Sequence, residues 1–506
     1  MTLPQFGRPH VLLGVTLVLT LLLRVPSLVE PPWYDDEGIY AAVAHALSQG
    51  AALYRDVADN RPPGMYLIYA LLLGSSDASV FAVKLGATAA VLGTQVTLFF
   101  IAWRLWNVRT ALVTALLFGL LSSLPVLEGN LANAEVFMAL PIAIAMLLAL
   151  HGRFFGAGVA MGAAFLIKQI AGVELAALLL AILLFAPEVR RSVLLVLAGF
   201  LVPTLLTAVG LVLAGVLGDF LYAGFGYYFG YVQRETRIPA TVIVMKVALL
   251  MATVAMIWRF AGAQRSTAQF SRTLMPVWLA FGVFGALFTS RPYPHYLLQA
   301  LPPFLMVVVP AFVAQWHAPL PHLTVGRMAT VSAIAVTTCT LALSIYVPWV
   351  RWAAPDRMAV YYENFLKFAS GERSLQAYND TFDLRVNRNV VLQRQIEAIT
   401  EPGDAVLIWG EEPWLYELAD LMPATPFVVS YYAYEVPSGL QHVVARVRQE
   451  RPRVVLWTQN KAMFPELRAE LDRDYTVVST VGNALLYQRL PGRNDLAANL
   501  PPGTGR

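Results

Sequence analysis

Three consecutive acidic residues, Asp35, Asp36 and Glu37, follow an apolar run near the start of the chain. A carboxylate at such a boundary can act as a general base that takes the proton from an acceptor hydroxyl. Helix capping is the plain structural alternative, because acids at a helix N-terminus are stabilised by the helix dipole and by free N–H groups. One acid is enough for capping, so a run of three leaves catalysis and capping about equally favoured.

Polar residues at the ends of other apolar segments, or inside them, extend this set. They are Arg61, Glu128, Glu135, Lys168, Arg291, Tyr293 and His295. Arg61 and Arg291 could simply reach lipid headgroups with their charged ends, and His295 could make a local hydrogen bond. Lys168 is harder to explain in this way, because a charge at membrane depth is costly and usually faces a cavity or a partner. Its position favours function by roughly two to one.

Together these residues indicate one kind of chemistry. Arg and Lys side chains can hold a phosphate and stabilise the charge on a leaving phosphate, while a carboxylate activates the acceptor. A site at the lipid–water boundary suits a substrate with a long lipid tail. The sequence has no P-loop, GxSxG or HExxH motif that would favour another reaction. The pattern therefore predicts transfer of a group from a lipid-linked phosphate donor to a hydroxyl.

The composition is that of an integral membrane protein. The 506 residues are 58% hydrophobic and 13% charged, whereas soluble domains have roughly 25% charged residues. The one cysteine, Cys339, excludes an intramolecular disulfide framework and a cysteine-based metal site. A membrane-spanning helix needs about 20 apolar residues. About eleven spans are predicted, at 11–29, 81–102, 110–126, 136–150, 155–167, 171–186, 192–215, 240–258, 273–289, 296–314 and 328–349.

The charges between the spans predict the orientation. With the N-terminus in the cytoplasm, the cytoplasmic connections hold arginines and almost no acids, as the positive-inside rule requires. The segment "KQIAG" around Lys168 is compatible with one long helix or two short ones. The charge pattern requires this region to cross twice, which gives an odd number of spans and an outer C-terminus. The N-terminal run is expected to be retained as the first span, because no small-x-small cleavage site follows it.

The first outer connection, about residues 30–80, is expected to contain two interfacial helices. "EGIYAAVAHALSQG" places its apolar residues on one face at helical spacing, with Asp36 and Glu37 in the first turn. "RPPGMYLIYALLLG" predicts a second helix that lies at the interface or re-enters the membrane. These elements would hold the acids at the membrane boundary.

From about residue 350, short β-rich runs alternate with amphipathic helical patterns, which predicts a small α/β domain. Strands are expected at 404–410, 426–430, 453–457, 475–480 and 484–490, and helices at 389–399, 412–421 and 440–450. The predicted organisation is a membrane module at 1–350, an extracytoplasmic α/β domain at 351–490 and a disordered tail at 491–506. The fold class is therefore a polytopic α-helical membrane protein with a C-terminal extracytoplasmic α/β domain.

The order of several segments resembles a known group of enzymes. The segments are "DDEGIYAAVAHAL", "NRPPGMYLIY", "NLANAEVFMALP", "FLIKQIAG", "YPHYLLQALPPF" and "IWGEEPWLYELADLMPATPF". They resemble the polytopic C-type glycosyltransferases (GT-C), and among these the bacterial branch similar to protein O-mannosyltransferases and aminoarabinose transferases. The resemblance covers nearly the whole chain. Its most specific parts are the Asp-Glu pair and the basic residue before two prolines.

The resemblance implies a reaction and roles for individual residues. The family uses polyprenyl-phosphate sugars and generally inverts the anomeric centre by direct displacement. It implies that Asp36 is the general base and that Glu37 is its neighbour or an acceptor ligand. Arg61 stands where the family often has lysine, and Glu135 matches the family's second acid, with Glu128 as the runner-up. The donor-phosphate or substrate ligands implied by resemblance and charge are Lys168, Arg291, Tyr293 and His295, together with Arg61.

Several alternatives remain open at the level of sequence. Asp36, Glu37 and Glu135 could hold a divalent cation through oxygen ligands, although a catalytic base alone explains them as well. The expected partners are a polyprenyl-phosphate-linked sugar, a lipid, glycan or protein acceptor, and membrane lipids, with no nucleic acid. Two other classes of protein compete with the enzyme. One is a transporter or flippase of lipid-linked glycans, and the other is a scaffold that works through its C-terminal domain. The expected location is a bacterial plasma membrane.

Overall fold

The computed structural model describes residues 9–74, 79–227, 240–262, 264–288, 291, 293–315, 355–458 and 464–490. The chain forms two compact units. The first contains Met1–Glu30 and Asn60–Tyr378, and the second contains Pro31–Asp59 and Asn379–Arg506. The short segment 31–59 thus belongs with the C-terminal part of the chain. The division of the chain at residue 350 stays a prediction, and the predicted tail 491–506 lies outside the described residues.

Most of the described residues are helical. Long runs of Leu, Val and Ala favour this structure, because a helix pairs the backbone N–H and C=O groups with one another where no water is available. In chain order up to the sheet they are α1 (Pro9–Leu28), α2 (Asp35–Ser48), α3 (Pro63–Leu73), α4 (Ser79–Leu105), α5 (Val108–Leu121), α6 (Ala134–Leu150), α7 (Phe154–Ile167), α8 (Ala171–Phe185), α9 (Val189–Leu213), α10 (Leu217–Leu221), α11 (Ala240–Ala261), α12 (Thr267–Leu287), α13 (Leu297–Gln315), α14 (Pro355–Ala369), α15 (Leu375–Asp380) and α16 (Arg385–Glu397).

The first unit has the helices of a multi-pass membrane protein. Each predicted span from 11–29 to 296–314 coincides with a helix, and the predicted span 328–349 lies outside the described residues. At 1.5 Å per residue, α1 extends about 30 Å, which is the thickness of the hydrocarbon core. Among the described residues, 6 helices are long and apolar enough to cross a membrane: Pro9–Leu28, Ser79–Leu105, Val189–Leu213, Thr241–Ala261, Thr267–Leu287 and Pro294–Val313. The total number of spans stays a prediction.

The structure distinguishes between the two alternatives for the region around Lys168. Helix α7 ends at Ile167, and Lys168 has extended backbone torsions (φ −152°, ψ 129°) before α8 begins at Ala171. The next residue, Gln169, donates hydrogen bonds to the carbonyls of Asn60 (2.7 Å) and Gly224 (2.8 Å). These bonds stabilise the interruption, because they tie the non-helical residues to other parts of the first unit. The region is therefore two helices rather than one.

The second unit contains a mixed sheet of five strands in the order β2-β1-β3-β5-β4. The strands are β1 (Ala405–Trp409), β2 (Met422–Pro423), β3 (Val454–Trp457), β4 (Tyr475–Val481) and β5 (Ala484–Arg489), and its helices are α17 (Trp414–Leu418), α18 (Ser430–Glu435), α19 (Gly439–Glu450) and α20 (Pro465–Asp474). Strand β1 is parallel to β2 and β3, whereas β5 is antiparallel to β3 and β4. The predicted α/β character is confirmed for this part of the chain.

The strand predicted at 426–430 is wrong. The second strand is the short β2, whereas Phe427 makes an isolated bridge to Ala58. Pro426 contributes its carbonyl to the N–H of Ala58 at 2.8 Å, but proline has no N–H of its own for a sheet ladder. Val428 and Val429 are buried all the same, which explains why the apolar run has the composition of a strand.

Helix α2 is more enclosed than the amphipathic pattern predicts. Its residues from Glu37 to Ala46 are all buried, so the helix has no half-exposed face in this stretch. Within the second unit α2 packs against α17. The two helices approach closely at Gly38, where a larger residue would not fit. A Cβ atom on Gly38 would lie 2.8 Å from side-chain atoms of Pro413 and Trp414. The expected position of α2 at the membrane interface stays a prediction.

Two membrane helices of the first unit touch through their backbones. A Cβ atom on Gly158 of α7 would lie 2.0 Å from the carbonyl oxygen of Val196 in α9, and one on Gly199 would lie 2.0 Å from that of Phe155. Such close approach is typical of membrane helices, which gain contact energy from packing rather than from expulsion of water. The contact between α7 and α9 therefore depends on these small residues.

We expect Gly158→Leu to destabilise the protein, because the new side chain cannot fit against Val196 without moving one helix. The expected cost is about 1–3 kcal/mol or more, as for overpacked cores, measured as a lower melting temperature in detergent. Gly210→Leu is the matched control, because Gly210 lies in α9 with no heavy atom within 4 Å of its added Cβ. Equal melting temperatures for the two variants would contradict the close contact.

Candidate functional site

The three adjacent acids occupy the first turn of α2. Tyr34 is the N-cap residue, with extended backbone torsions (φ −93°, ψ 127°) and no capping hydrogen bond from its side chain. Asp35, Asp36 and Glu37 follow as the first helical residues, which agrees with the sequence expectation. Asp36 is half-buried, whereas Glu37 is fully buried. Of this pair, Asp36 is therefore the carboxylate that a substrate reaches more readily.

Asp35 is held by an arginine of the same unit. The Arg385 guanidinium lies 3.1 Å from Asp35 Oδ1 and also binds Asp383 and the carbonyl of Glu411. Partial burial raises the pKa of Asp35 to about 7, although Arg385 acts in the opposite direction and Glu411 adds to the increase. Asp35 is thus a fixed member of an ion-pair network, which supports an orienting role beside Asp36.

A histidine joins α2 to the segment around α17 within the second unit. His45 Nδ1 lies 3.0 Å from Glu417 and its Nε2 lies 3.2 Å from Asp420. The indole N–H of Trp414 also donates to the carbonyl of Tyr34, at 3.2 Å. The two ends of α2 are therefore both attached to residues 414–420, which fixes the direction of the helix that carries Asp36.

A second group of ionisable side chains lies in the first unit. Glu135, in the first turn of α6, is buried and forms an ion pair with Lys168. His295 Nδ1 contacts Glu128, and its Nε2 lies 4.0 Å from Oε1 of Glu135. Lys168 Nζ also lies 4.7 Å from the ring centroid of Tyr296, a cation–π contact. Both candidates for the second acid, Glu135 and Glu128, therefore meet the same histidine.

Aromatic contacts connect Arg291 to this group. The Tyr293 ring stacks on His295 at 5.5 Å between centroids, and the Arg291 guanidinium lies 5.9 Å from the Tyr293 ring. Arg61 interacts electrostatically with Glu135. The first-unit residues predicted from the sequence are thus brought together: Arg61, Glu128, Glu135, Lys168, Arg291, Tyr293 and His295. Asp36 and Glu37 belong to the second unit.

The possibility of a metal site gains no support from the local geometry. Among the residues that the structure describes, no group of three or more His, Cys, Asp or Glu side chains is placed to hold a metal ion. The suggested ligands Asp36, Glu37 and Glu135 come from both units, and this site stays a prediction.

Sequence reasoning missed several polar residues. Glu174 is fully buried in α8 and accepts a hydrogen bond from Gln299 at 3.1 Å. Lys84 is fully buried in α4 and pairs with Glu30. The cost of intramembrane charge, which drew attention to Lys168, applies equally to Lys84 and Glu174 and could have found them. Arg385 had no such signal, because it lies in polar sequence.

Comparison with solved structures shows what this architecture is similar to. ArnT from Cupriavidus metallidurans, bound to undecaprenyl phosphate, has a TM-score of 0.52 and 14% identity over 94% of this chain and 98% of that chain. The Archaeoglobus fulgidus oligosaccharyltransferase tethered with an acceptor peptide has a TM-score of 0.45 and 12% identity, over 89% of this chain and 69% of that chain. No family model and no curated protein matches the chain.

The apolar helices and the buried ionisable group define a multi-pass membrane protein with a small α/β part. Its fold is similar to that of ArnT. The expected helical membrane fold with a small sheet near the C-terminus is confirmed, whereas the number of spans and the domain bounds stay predictions. At 14% identity the likeness concerns the fold, and the roles of the individual residues stay predictions.

We expect Lys168→Gln to lower stability strongly, because it leaves the Glu135 carboxylate buried without its ion-pair partner. Breaking a buried pair typically costs about 3–5 kcal/mol, and unfolding in detergent measures it. The double variant with Glu135→Gln should recover much of the loss. Arg191→Gln is the control, because the Arg191–Glu188 pair is exposed and its loss should cost less than about 1 kcal/mol. If Lys168→Gln lost no more stability than Arg191→Gln, the assignment of Lys168 and Glu135 as a buried ion pair would be contradicted.

We also expect stability to fall as the pH rises from about 4 to about 7. In this window the raised pKa of Asp35, about 7, keeps the folded state protonated while the unfolded state releases its proton. Burial raises the pKa of Glu435 to about 7 and acts in the same direction. Asp35→Asn should therefore reduce the difference in melting temperature between pH 5 and pH 8. Asp472 is exposed, so Asp472→Asn should leave this difference in melting temperature unchanged. An unchanged difference in Asp35→Asn would refute the raised pKa of Asp35.

Proposed function

We propose that this protein is a membrane glycosyltransferase that moves a monosaccharide from a polyprenyl-phosphate donor to an acceptor hydroxyl on the extracytoplasmic face. The observation that carries the proposal is the fold shared with ArnT, whose structure contains undecaprenyl phosphate. The basic side chains of the first unit can form charge-assisted hydrogen bonds with the oxygens of a lipid phosphate. The acceptor hydroxyl belongs to a lipid, a glycan or a protein, and membrane lipids surround the helices.

Asp36 is the proposed general base. Its carboxylate takes the proton of the acceptor hydroxyl as the hydroxyl oxygen attacks the anomeric carbon of the sugar. The bond between that carbon and the phosphate oxygen breaks, and the electron pair leaves with the polyprenyl phosphate. One direct displacement inverts the anomeric centre. The half-buried position of Asp36 supports this role. Glu37 is proposed as the neighbour of Asp36 or as an acceptor ligand, and its full burial favours the first of these roles.

The proposed donor-phosphate ligands are Arg61, Lys168, Arg291 and His295, with Tyr293 packed on the histidine ring. Cations that are already in place stabilise the charge that develops on the leaving phosphate, without reorganisation during the reaction. The Glu135 and Glu128 carboxylates hold Lys168 and His295 in position. Glu135 would therefore act by placing Lys168 and His295.

The proposed organisation follows the charge pattern of the sequence. The N-terminus is cytoplasmic, residues 1–350 form the membrane module, and residues 351–490 form the extracytoplasmic α/β domain, which contributes to acceptor binding. The interruption at Lys168 supplies the two helices that an odd number of spans requires. A bacterial plasma membrane is the proposed location, because it offers polyprenyl-phosphate donors on a face without nucleotide sugars.

A transporter or flippase of lipid-linked glycans is the alternative. That class is expected to carry ionisable residues along the depth of several spans. Lys84 and Glu174 are residues of this kind, and they favour the alternative to a limited degree. Each of them binds a neighbouring side chain, Glu30 or Gln299, which is the arrangement of a structural pair.

We expect Asp36→Asn to lose about 10²–10⁴-fold in transfer rate, because the amide cannot accept the proton. The assay uses the purified protein in detergent, with a panel of radiolabelled polyprenyl-phosphate sugars and crude membrane acceptors. Released polyprenyl phosphate is measured together with donor binding, which the variant should retain.

Asp35→Asn is the matched control for this experiment, because Asp35 is adjacent and paired with Arg385. It should keep transfer within about tenfold of the unmodified protein. Full turnover by Asp36→Asn would sink the assignment of the base. If no donor turned over, while the protein moved lipid-linked glycans across liposomes, the transporter alternative would replace the enzyme.

A further inference from the structure

The second unit contains a cavity whose lining is mainly cationic. Its volume is about 330 Å³, and it lies where the ends of α19 and α20 meet the edge strand β4 and its neighbour β5. The charged residues that line it are Arg448, Arg451, Arg473, Arg489, Glu470 and Asp474. Four guanidinium groups therefore face two carboxylates, which leaves an excess of two positive charges around one concave surface.

Two of the arginines have an ordinary structural explanation. Arg448 and Arg473 both bind Glu470, with Arg448 Nε at 2.7 Å from its Oε1, and Arg473 also binds Asp474 at 2.8 Å. Both arginines lie in the last turn of their helices, where the helix dipole favours a cation. This half of the lining is charge-balanced, because Asp474 and the buried Glu470 offset the two arginines.

The other half of the lining contains Arg451 and Arg489. Arg451 follows the last turn of α19 in the left-handed region (φ 47°, ψ 56°), a position at which helices usually have glycine. Arg489 donates to the Arg451 carbonyl at 2.7 Å and so holds this turn in place. An arginine at this position costs conformational energy that glycine would avoid, and it brings a further positive charge to a cavity that is already cationic.

We propose that this cavity binds a saccharide unit that carries a phosphate or carboxylate group. The charge excess selects an oxyanion, and arginine offers paired donors that match phosphate and carboxylate oxygens. The volume is at the lower end of the range for small-molecule sites, about 300–1,000 Å³, and leaves room for a sugar ring beside the anionic group. The site lies outside the set of residues proposed for glycosyl transfer, so it goes beyond the proposed reaction.

The test measures ligand binding to the full-length protein in detergent, by calorimetry and by the shift in melting temperature. The probes are glucose 6-phosphate, glucuronate, glucose and inorganic phosphate at matched ionic strength. The two charged sugars should bind, glucose should not, and inorganic phosphate should bind more weakly than glucose 6-phosphate. Binding should weaken as sodium chloride is added, since exposed charges are screened by salt.

Arg451→Gly separates binding from folding. The glycine relieves the left-handed strain, so the variant should keep or raise the melting temperature while it loses at least about tenfold in affinity for the charged sugars. Arg446→Gln is the control, because it removes a charge from the same helix at the Arg446–Glu450 pair, outside the cavity lining. It should bind as the unmodified protein does.

Three outcomes would overturn the proposal. Unchanged affinity in Arg451→Gly would show that the cavity is not the site. Equal binding of inorganic phosphate and glucose 6-phosphate would remove the saccharide from the ligand class. Tighter binding of glycerol 1-phosphate, a soluble equivalent of a lipid headgroup, than of either charged sugar would assign the surface to lipid headgroups. None of these results depends on glycosyl transfer, so the proposal can fail while the proposed reaction stands.

Discussion

The architecture of the first unit depends on one buried carboxylate. Glu30, at the end of the chain segment that contains α1, accepts hydrogen bonds from Lys84 at 3.0 Å, Asn130 at 2.7 Å and Tyr361 at 2.5 Å. Both side chains of the Lys84–Glu30 pair are fully buried. Moving two charges from water into the protein interior costs free energy. Their attraction offsets this cost only when the two groups are well aligned and their remaining donors and acceptors are hydrogen-bonded. Three distant segments of the first unit must therefore converge on Glu30.

The same constraint explains how apolar helices find one arrangement. Surfaces of Leu, Ala and Val offer many similar packings in a membrane, because lipid tails are as apolar as the side chains. Buried Arg24 of α1 removes this ambiguity by donating to the Thr88 hydroxyl and to the carbonyls of Ser122 and Gly129. A polar group without these partners would cost free energy, so alternative registers are excluded. The Lys168–Glu135 pair follows the same physics, and the candidate site is thus also part of the scaffold.

The sequence predicts the helices well because each is a local pattern. The alternation of the α/β part is visible in short windows of residues, whereas the interruption at Lys168 was favoured only by the charge pattern along the chain. The pairing of Lys168 with Glu135 was not predictable, because it depends on how the interruption after α7 packs against the start of α6. The association of α2 with the C-terminal residues was missed for a related reason. An apolar helix face has the same composition whether it contacts lipid or protein. In α2 the difference depends on Gly38, where the absence of a side chain leaves room for Trp414.

The question raised by three adjacent acids has a geometric answer. Successive residues of a helix point about 100° apart, so neighbours in the sequence face different surroundings. Asp35 faces Arg385, Glu37 is fully enclosed, and Asp36 between them is half-buried. Burial and the charge of Asp36 hold the pKa of the Tyr431 hydroxyl well above its usual value, so this hydroxyl stays neutral and can donate a hydrogen bond. Capping and catalysis are therefore compatible, because all three acids favour the helix start while Asp36 is partly exposed and has a neutral donor nearby.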